Sequence, residues 1–229
     1  TLTWLRAAVR ERWHVRESFH APALLCVFLL FSYLAFNFLS VIRPFPIGWD
    51  DLGRYINGPR QLSVFHAIIP GMLAMQWEYL TALGFLLFGY ASPFGATLAM
   101  EINWLAGLLA LLAVYLFTKE VLGGNAGVLA ALFYYTLPMV GHFSFADMKT
   151  ENALLFFGAL GMLCLYRACF RGQNMHEEES RELTLSRSWL FLAGIFFAAA
   201  FATKPTVVLL FLAAGFILTT ALLGAWGGL

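Results

Sequence analysis

Charge is what this chain has least of. Of its 229 residues only 12% are Asp, Glu, Lys or Arg, against 61% hydrophobic residues, and the mean hydropathy is +0.76. A soluble core of this size cannot hide so much apolar surface, which excludes an ordinary water-soluble domain. The 14 Lys and Arg nearly balance the 13 Asp and Glu and form no basic run, so nucleic acid is excluded as a partner. Cysteine is scarce as well. Cys26, Cys164 and Cys169 fall in apolar stretches with neither pairing nor metal-ligand spacing, which reads as small buried hydrophobes rather than a disulfide or zinc framework. Low-complexity tracts, internal repeats and polar domains are missing too.

What remains is a series of apolar runs of about 20 residues separated by short polar breaks. Runs of that length favour helices over a barrel, whose strands would be shorter and alternating. The fold class expected is therefore all-α: a polytopic transmembrane helical bundle of about six spans, with interfacial helices in the first extracytoplasmic loop. Residues 1–20 carry Arg6, Arg10, Arg12 and Arg16 beside Trp4, Trp13 and Phe19 and lack the apolar core and cleavage site of a signal peptide, so they read as an amphipathic cytoplasmic interfacial helix. Residues 21–229 form one transmembrane domain. The chain starts without Met and stops at Gly227-Gly228-Leu229 after an apolar run, so we expect the amino-terminal part of a longer protein.

The spans are expected at Pro22–Ile42, closed by Arg43-Pro44-Phe45-Pro46, at Gly95–Phe117, and, after a tight turn at Gly123-Gly124-Asn125, at Ala126–Val140. Three more follow at Asn152–Phe170, Trp189–Ala202 and Pro205–Trp226. From Leu62 to Tyr90 the apolar sequence is interrupted by His66, Pro70, Gly71, Gln76 and Glu78, which fits short interfacial helices. The polar stretch Arg171–Arg187 reads as a solvated linker.

With these spans, nine of the 14 Lys and Arg fall on one side, which the positive-inside rule makes cytoplasmic. Asp50, Asp51, Arg54, Arg60, His66, Asp147, Lys149, Glu151 and Lys204 then share the extracytoplasmic side although they come from three separate connections. One polar site on that face is the natural inference.

Each of these residues has two readings. Asp50 and Asp51 suit a general base and its partner, since adjacent carboxylates raise one another's pKa, and equally a helix N-cap. Ser144 and Asp147 approximate a capping box, while Asp147 or Glu151 would also orient an acceptor or help hold a divalent cation. Lys204, followed by Pro205, either snorkels to the interface or contacts a phosphate, and Arg54 and Arg60 share that ambiguity. Glu101 and Glu78 are costly in lipid and should face a cavity or the bundle, with anchoring by Trp77 and Tyr79 the alternative for Glu78. His66 reads as a hydrogen-bonding interfacial residue rather than a metal ligand.

Taken in order, Trp49-Asp50-Asp51, Leu87-Phe88-Gly89, Glu101-Ile-Asn103-Trp-Leu-Ala-Gly107, Lys119-Glu-Val-Leu-Gly123, Pro138, Ala146-Asp147, Leu192-Ala-Gly194 and Thr203-Lys204 resemble the GT-C class of integral membrane glycosyltransferases. The similarity is greatest to the branch with protein O-mannosyltransferases and aminoarabinose transferases. The resemblance implies sugar transfer, inverting, from a polyprenyl-phosphate donor to a hydroxyl on a lipid, glycan or protein acceptor, at the extracytoplasmic face of a bacterial inner or plasma membrane. By that likeness Asp50 is the general base and Asp51 its partner. Lys204, Arg54, Arg60, Asp147, Glu151, Glu78 and His66 serve substrate and phosphate, and a divalent cation is an open expectation. This chain departs from the pattern in having Asp-Asp rather than Asp-Glu, with Tyr55 five residues after Asp50, and Gln76-Trp77-Glu78 where many relatives carry Lys-Pro-Pro. Many relatives also have an Arg near the position of Glu101. Sugar and acceptor are left open by these differences. The competing classes are a transporter or lipid flippase, which would call for broken helices and an inverted repeat, and a noncatalytic scaffold subunit.

Overall fold

A computed structural model describes residues 21–43, 51–67, 76–145, 147–170 and 187–226. The expected helix over residues 1–20, the Pro44–Pro46 break, Asp50 and the polar stretch after Phe170 lie outside the described residues. Among these residues there are nine α-helices and no strand. They are α1 (Ala21–Val41), α2 (Asn57–Phe65), α3 (Gln76–Phe88), α4 (Pro93–Leu122), α5 (Gly124–Thr136), α6 (Pro138–Phe145), α7 (Glu151–Phe170), α8 (Arg187–Thr203) and α9 (Val208–Trp226). A π-helical turn at Asp51–Tyr55 leads into α2, and a 3-10 turn at Pro205–Val207 leads into α9.

Helices α1, α4 and α7 are long and apolar enough to cross a membrane. On α1, Phe28, Phe31, Phe36 and Leu39 are each about two thirds exposed, a surface that water would penalise and a bilayer would not. The 13-residue α3 is only about 20 Å long, too short to cross, and it is a short helix within the stretch from Leu62 to Tyr90 where such helices are expected; α2 begins ahead of that stretch.

Two expected boundaries need correction. The second span does not stop at Phe117: α4 starts with Pro93 in its first turn and continues for 30 residues through Lys119 and Glu120 to Leu122. Glu120 is tolerated there because Arg167 of α7 forks onto its carboxylate at 2.6–3.0 Å and lies over the Trp189 ring at 4.7 Å. The third span is not continuous. Pro138 disfavours helical backbone in the residue before it, and Leu137 accordingly adopts an extended conformation (φ −59°, ψ 129°) that separates α5 from α6. The turn between α4 and α5 is shorter than expected, a single Gly123 at φ +100°, where a side chain would be strained.

Helix α4 is the hub, packing against α1, α3, α5, α6 and α7, while α7 pairs closely with α8. Where α3 meets α4 the backbones nearly touch: a Cβ placed on Gly84 would overlap the carbonyl oxygen of Gly95. Asn37 of α1 donates to the Tyr135 hydroxyl of α5 at 3.1 Å, satisfying two buried polar groups inside an apolar contact. The alternation of helix directions brings the ends of α1, α6 and α8 and the starts of α4 and α7 to one end of the bundle. Thr97 donating to the Arg43 carbonyl, Asn103 donating to the Asp147 carbonyl, and Lys204 paired with Glu151 mark that end. The Glu120–Arg167 pair marks the other.

Candidate functional site

Three chain connections supply the polar groups at that first end. The link before α7 contributes Asp147, Lys149, Thr150 and the helix-opening Glu151. The corner between α8 and α9 contributes Lys204, whose extended backbone lets Pro205 start the 3-10 turn. The π-helical turn contributes Arg54 and Tyr55.

Lys204 Nζ donates to Glu151 Oε1 at 2.5 Å, with both side chains partly exposed. The expected snorkelling lysine is thus tied to a carboxylate 53 positions earlier. Asp147 is buried, and its Oδ2 lies 3.2 Å from His142 Nε2 and 3.6 Å from Lys149 Nζ, so one carboxylate serves two bases. Lys149 also lies over the Phe143 ring at 5.2 Å. The backbone around this cluster is held from α4: Asn103, itself buried, donates through Nδ2 to the carbonyls of Phe143 (3.1 Å) and Asp147 (2.9 Å). The Asp147 N–H in turn donates to the His142 carbonyl at 3.1 Å. Ser144 falls inside α6 and Asp147 three residues after it in a non-helical link, so the capping box expected of that pair does not form.

Tyr55 connects the first loop with this cluster. Its hydroxyl pKa is raised, first by burial and then by the negative charge of Glu151, with Lys204, Arg54 and Lys149 pulling the other way. The phenol is therefore a neutral O–H donor across the physiological range, set within the field of residues from all three connections. Arg54 is exposed with its guanidinium 5.6 Å from the Tyr55 ring centre.

Asp50 lies outside the described residues, and Asp51 opens the π-helical turn. Arg60 donates from Nε to the Tyr90 carbonyl at 3.0 Å and lies over the Tyr90 ring, fastening α2 to the link between α3 and α4. His66 is exposed and closes α2 in a left-handed conformation (φ 51°). Glu78 is buried in the first turn of α3, and Glu101 is partly buried on α4. Among the described residues no three His, Cys, Asp or Glu side chains converge to hold a metal ion. Sequence reasoning missed His142 altogether and gave Asn103 no role. A lone His in an apolar helix carries no signal until the chain folds back to set Asp147 beside it.

The model of a protein family described as dolichyl-phosphate-mannose-protein mannosyltransferase matches residues 74–226, about two thirds of the chain. The matched region holds Glu78, Asp147, Glu151 and Lys204; Asp50, Asp51, Arg54, Arg60 and His66 precede it. No curated protein and no solved structure matches the chain.

Proposed function

The chain belongs to the dolichyl-phosphate-mannose-protein mannosyltransferase family, and we propose that it moves a sugar from a polyprenyl-phosphate carrier to an acceptor hydroxyl at the extracytoplasmic face. The class is an integral membrane glycosyltransferase of mannosyltransferase type. A lipid-linked donor also accounts for a site built at the end of a helical bundle: the apolar tail stays in the bilayer while the phosphate stays at the interface.

In this reading Asp50 takes the proton of the acceptor hydroxyl, whose oxygen attacks the anomeric carbon as the bond to the phosphate oxygen breaks on the opposite face, inverting the configuration. Asp51 positions Asp50 or the acceptor. Lys204, with Arg54 and Arg60, offsets the charge that collects on the departing phosphate, and Glu151 fixes the ammonium of Lys204 for that contact. Asp147, Glu78 and His66 complete the substrate surroundings. The observation that carries the proposal is the Lys204–Glu151 pair, a tethered ammonium from one connection and a carboxylate from another, set in the same field as Tyr55 from a third.

The test is sugar transfer in membranes containing the full-length protein, with radiolabelled polyprenyl-phosphate mannose as the first donor. Asp50→Asn at matched expression should lower transfer by about 100-fold or more, the usual contribution of a general base. Undiminished transfer removes Asp50 from the mechanism, and no transfer by the wild type from any polyprenyl-phosphate sugar overturns the donor class.

A further inference from the structure

Helices α8 and α9 are joined by the short corner at Lys204, yet among the described residues each packs its backbone against α7 rather than against the other. The cause lies in α7. Its Gly158 and Gly161 leave two notches: a Cβ at Gly158 would come within 2.6 Å of the Leu210 side chain of α9, and one at Gly161 within 2.6 Å of the Phe197 ring of α8. Each partner helix is therefore seated on α7 separately. Rings bridge the two, with Phe211 centred 5.8 Å from Phe197 and 6.0 Å from Phe201.

Between α8 and α9 lies a slot of about 260 Å³ with Leu165 of α7 in its floor. Every residue lining it is Leu, Phe, Ala or Gly. Gly194 of α8 and Gly215 of α9 face open space, since a Cβ built on either meets nothing within 4 Å. On α8 the slot runs from Leu190 to Phe197 and on α9 from Phe211 to Leu218, seven to fourteen positions from Lys204 in both directions. It therefore begins about 10 Å from that corner and ends about 20 Å from it along the helices.

We propose that this slot seats the isoprenoid chain of the lipid carrier while the carrier's phosphate is at Lys204. The inference rests on the donor class given above. The lining offers no hydrogen-bonding side chain, so a polar occupant would be desolvated without compensation. A helix does not fit, because a 10 Å length of one about 10 Å across takes roughly 800 Å³. The slot opens sideways between Phe191, Leu212 and Phe216, each 66–70% exposed, so a chain enters from the bilayer without threading and continues downward from the corner that holds its phosphate. Lipid is as apolar as the slot, so burial of apolar area gives little preference and shape must supply it. A chain with a methyl branch on every unit fills the width left by Gly194 and Gly215, where a straight acyl chain leaves contacts unmade.

The experiment uses the full-length protein in nanodiscs and a dolichyl phosphate with a photoreactive diazirine in its third or fourth isoprene unit, about 10–20 Å from the phosphate. Wild type should be labelled on α8 and α9, and dolichyl phosphate should suppress the label where phosphatidic acid, with straight chains, does not. Gly215→Leu puts a side chain into the slot and should lower both the labelling and the affinity for dolichyl phosphate about tenfold. Citronellyl phosphate, whose shorter chain ends above the slot, should bind that variant as it binds wild type, which separates a filled slot from an unfolded protein. Labelling that maps to other helices, or that Gly215→Leu leaves unchanged, overturns the proposal while the donor class stands. Suppression by phosphatidic acid as strong as by dolichyl phosphate makes the slot a general lipid groove and overturns it as well. Should Gly215→Leu not fold, the position of the label in wild type and its competition decide. A wild type that binds neither dolichyl phosphate nor citronellyl phosphate overturns the donor class and this contact together.

Discussion

Lys204 shows what a charged residue between apolar runs can be asked to do. Its pair with Glu151 is partly exposed on both sides, so solvent screens it and it contributes under about 1 kcal/mol to stability. Its use lies in holding the ammonium in place. Lys204→Gln should therefore leave the melting temperature in detergent nearly unchanged while raising KM for the lipid-linked donor by about tenfold. A large drop in melting temperature with KM intact would make the pair structural instead. Lys204, Asp147 and Glu151 were legible in the sequence because charge is conspicuous in so apolar a chain. Their partners were not, since a contact between positions 151 and 204 depends on which helices pair. His142 was invisible for the same reason.

Helix limits were legible where composition alone sets them. Helices α1 and α7 begin and end within a residue of the expected spans because a uniform apolar run meets a polar or proline break at each end. They were not legible where a partner overrides the local signal, as when Arg167 lets α4 run on through Glu120, or where one proline divides what hydropathy joins, as at Pro138. The contact of α3 with α4 depends on a feature equally silent in hydropathy, two glycines facing each other. Gly84→Ala should lower stability by about 1–3 kcal/mol, because the new methyl meets backbone that cannot step aside. Unfolding in detergent would measure it; a neutral Gly84→Ala would mean that α3 can slide along α4.

Across the whole molecule the polar groups divide between two ends, and α4 reaches both. At one end it clamps the candidate site through Asn103; at the other its Glu120 is gripped by Arg167, which also stacks on Trp189 of α8. Because Glu120 has a side chain only 10% exposed, removing Arg167 takes the forked guanidinium contact from a carboxylate in poor solvent. Arg167→Ala should destabilise the bundle by roughly 2–4 kcal/mol, and the double change Glu120→Gln with Arg167→Met by clearly less than the sum of the single changes. Strict additivity in thermal unfolding would deny the pair its clamping role. The rod between these grips has a mechanical consequence. Asn103 and Glu120 are about 25 Å apart along the helix, so pivoting by about 5° at the far grip would swing the near one by roughly 2 Å. Misplacement of about 1 Å is already enough to slow chemistry severely, so the alignment of the reacting groups is under leverage from an ion pair on the opposite side of the molecule.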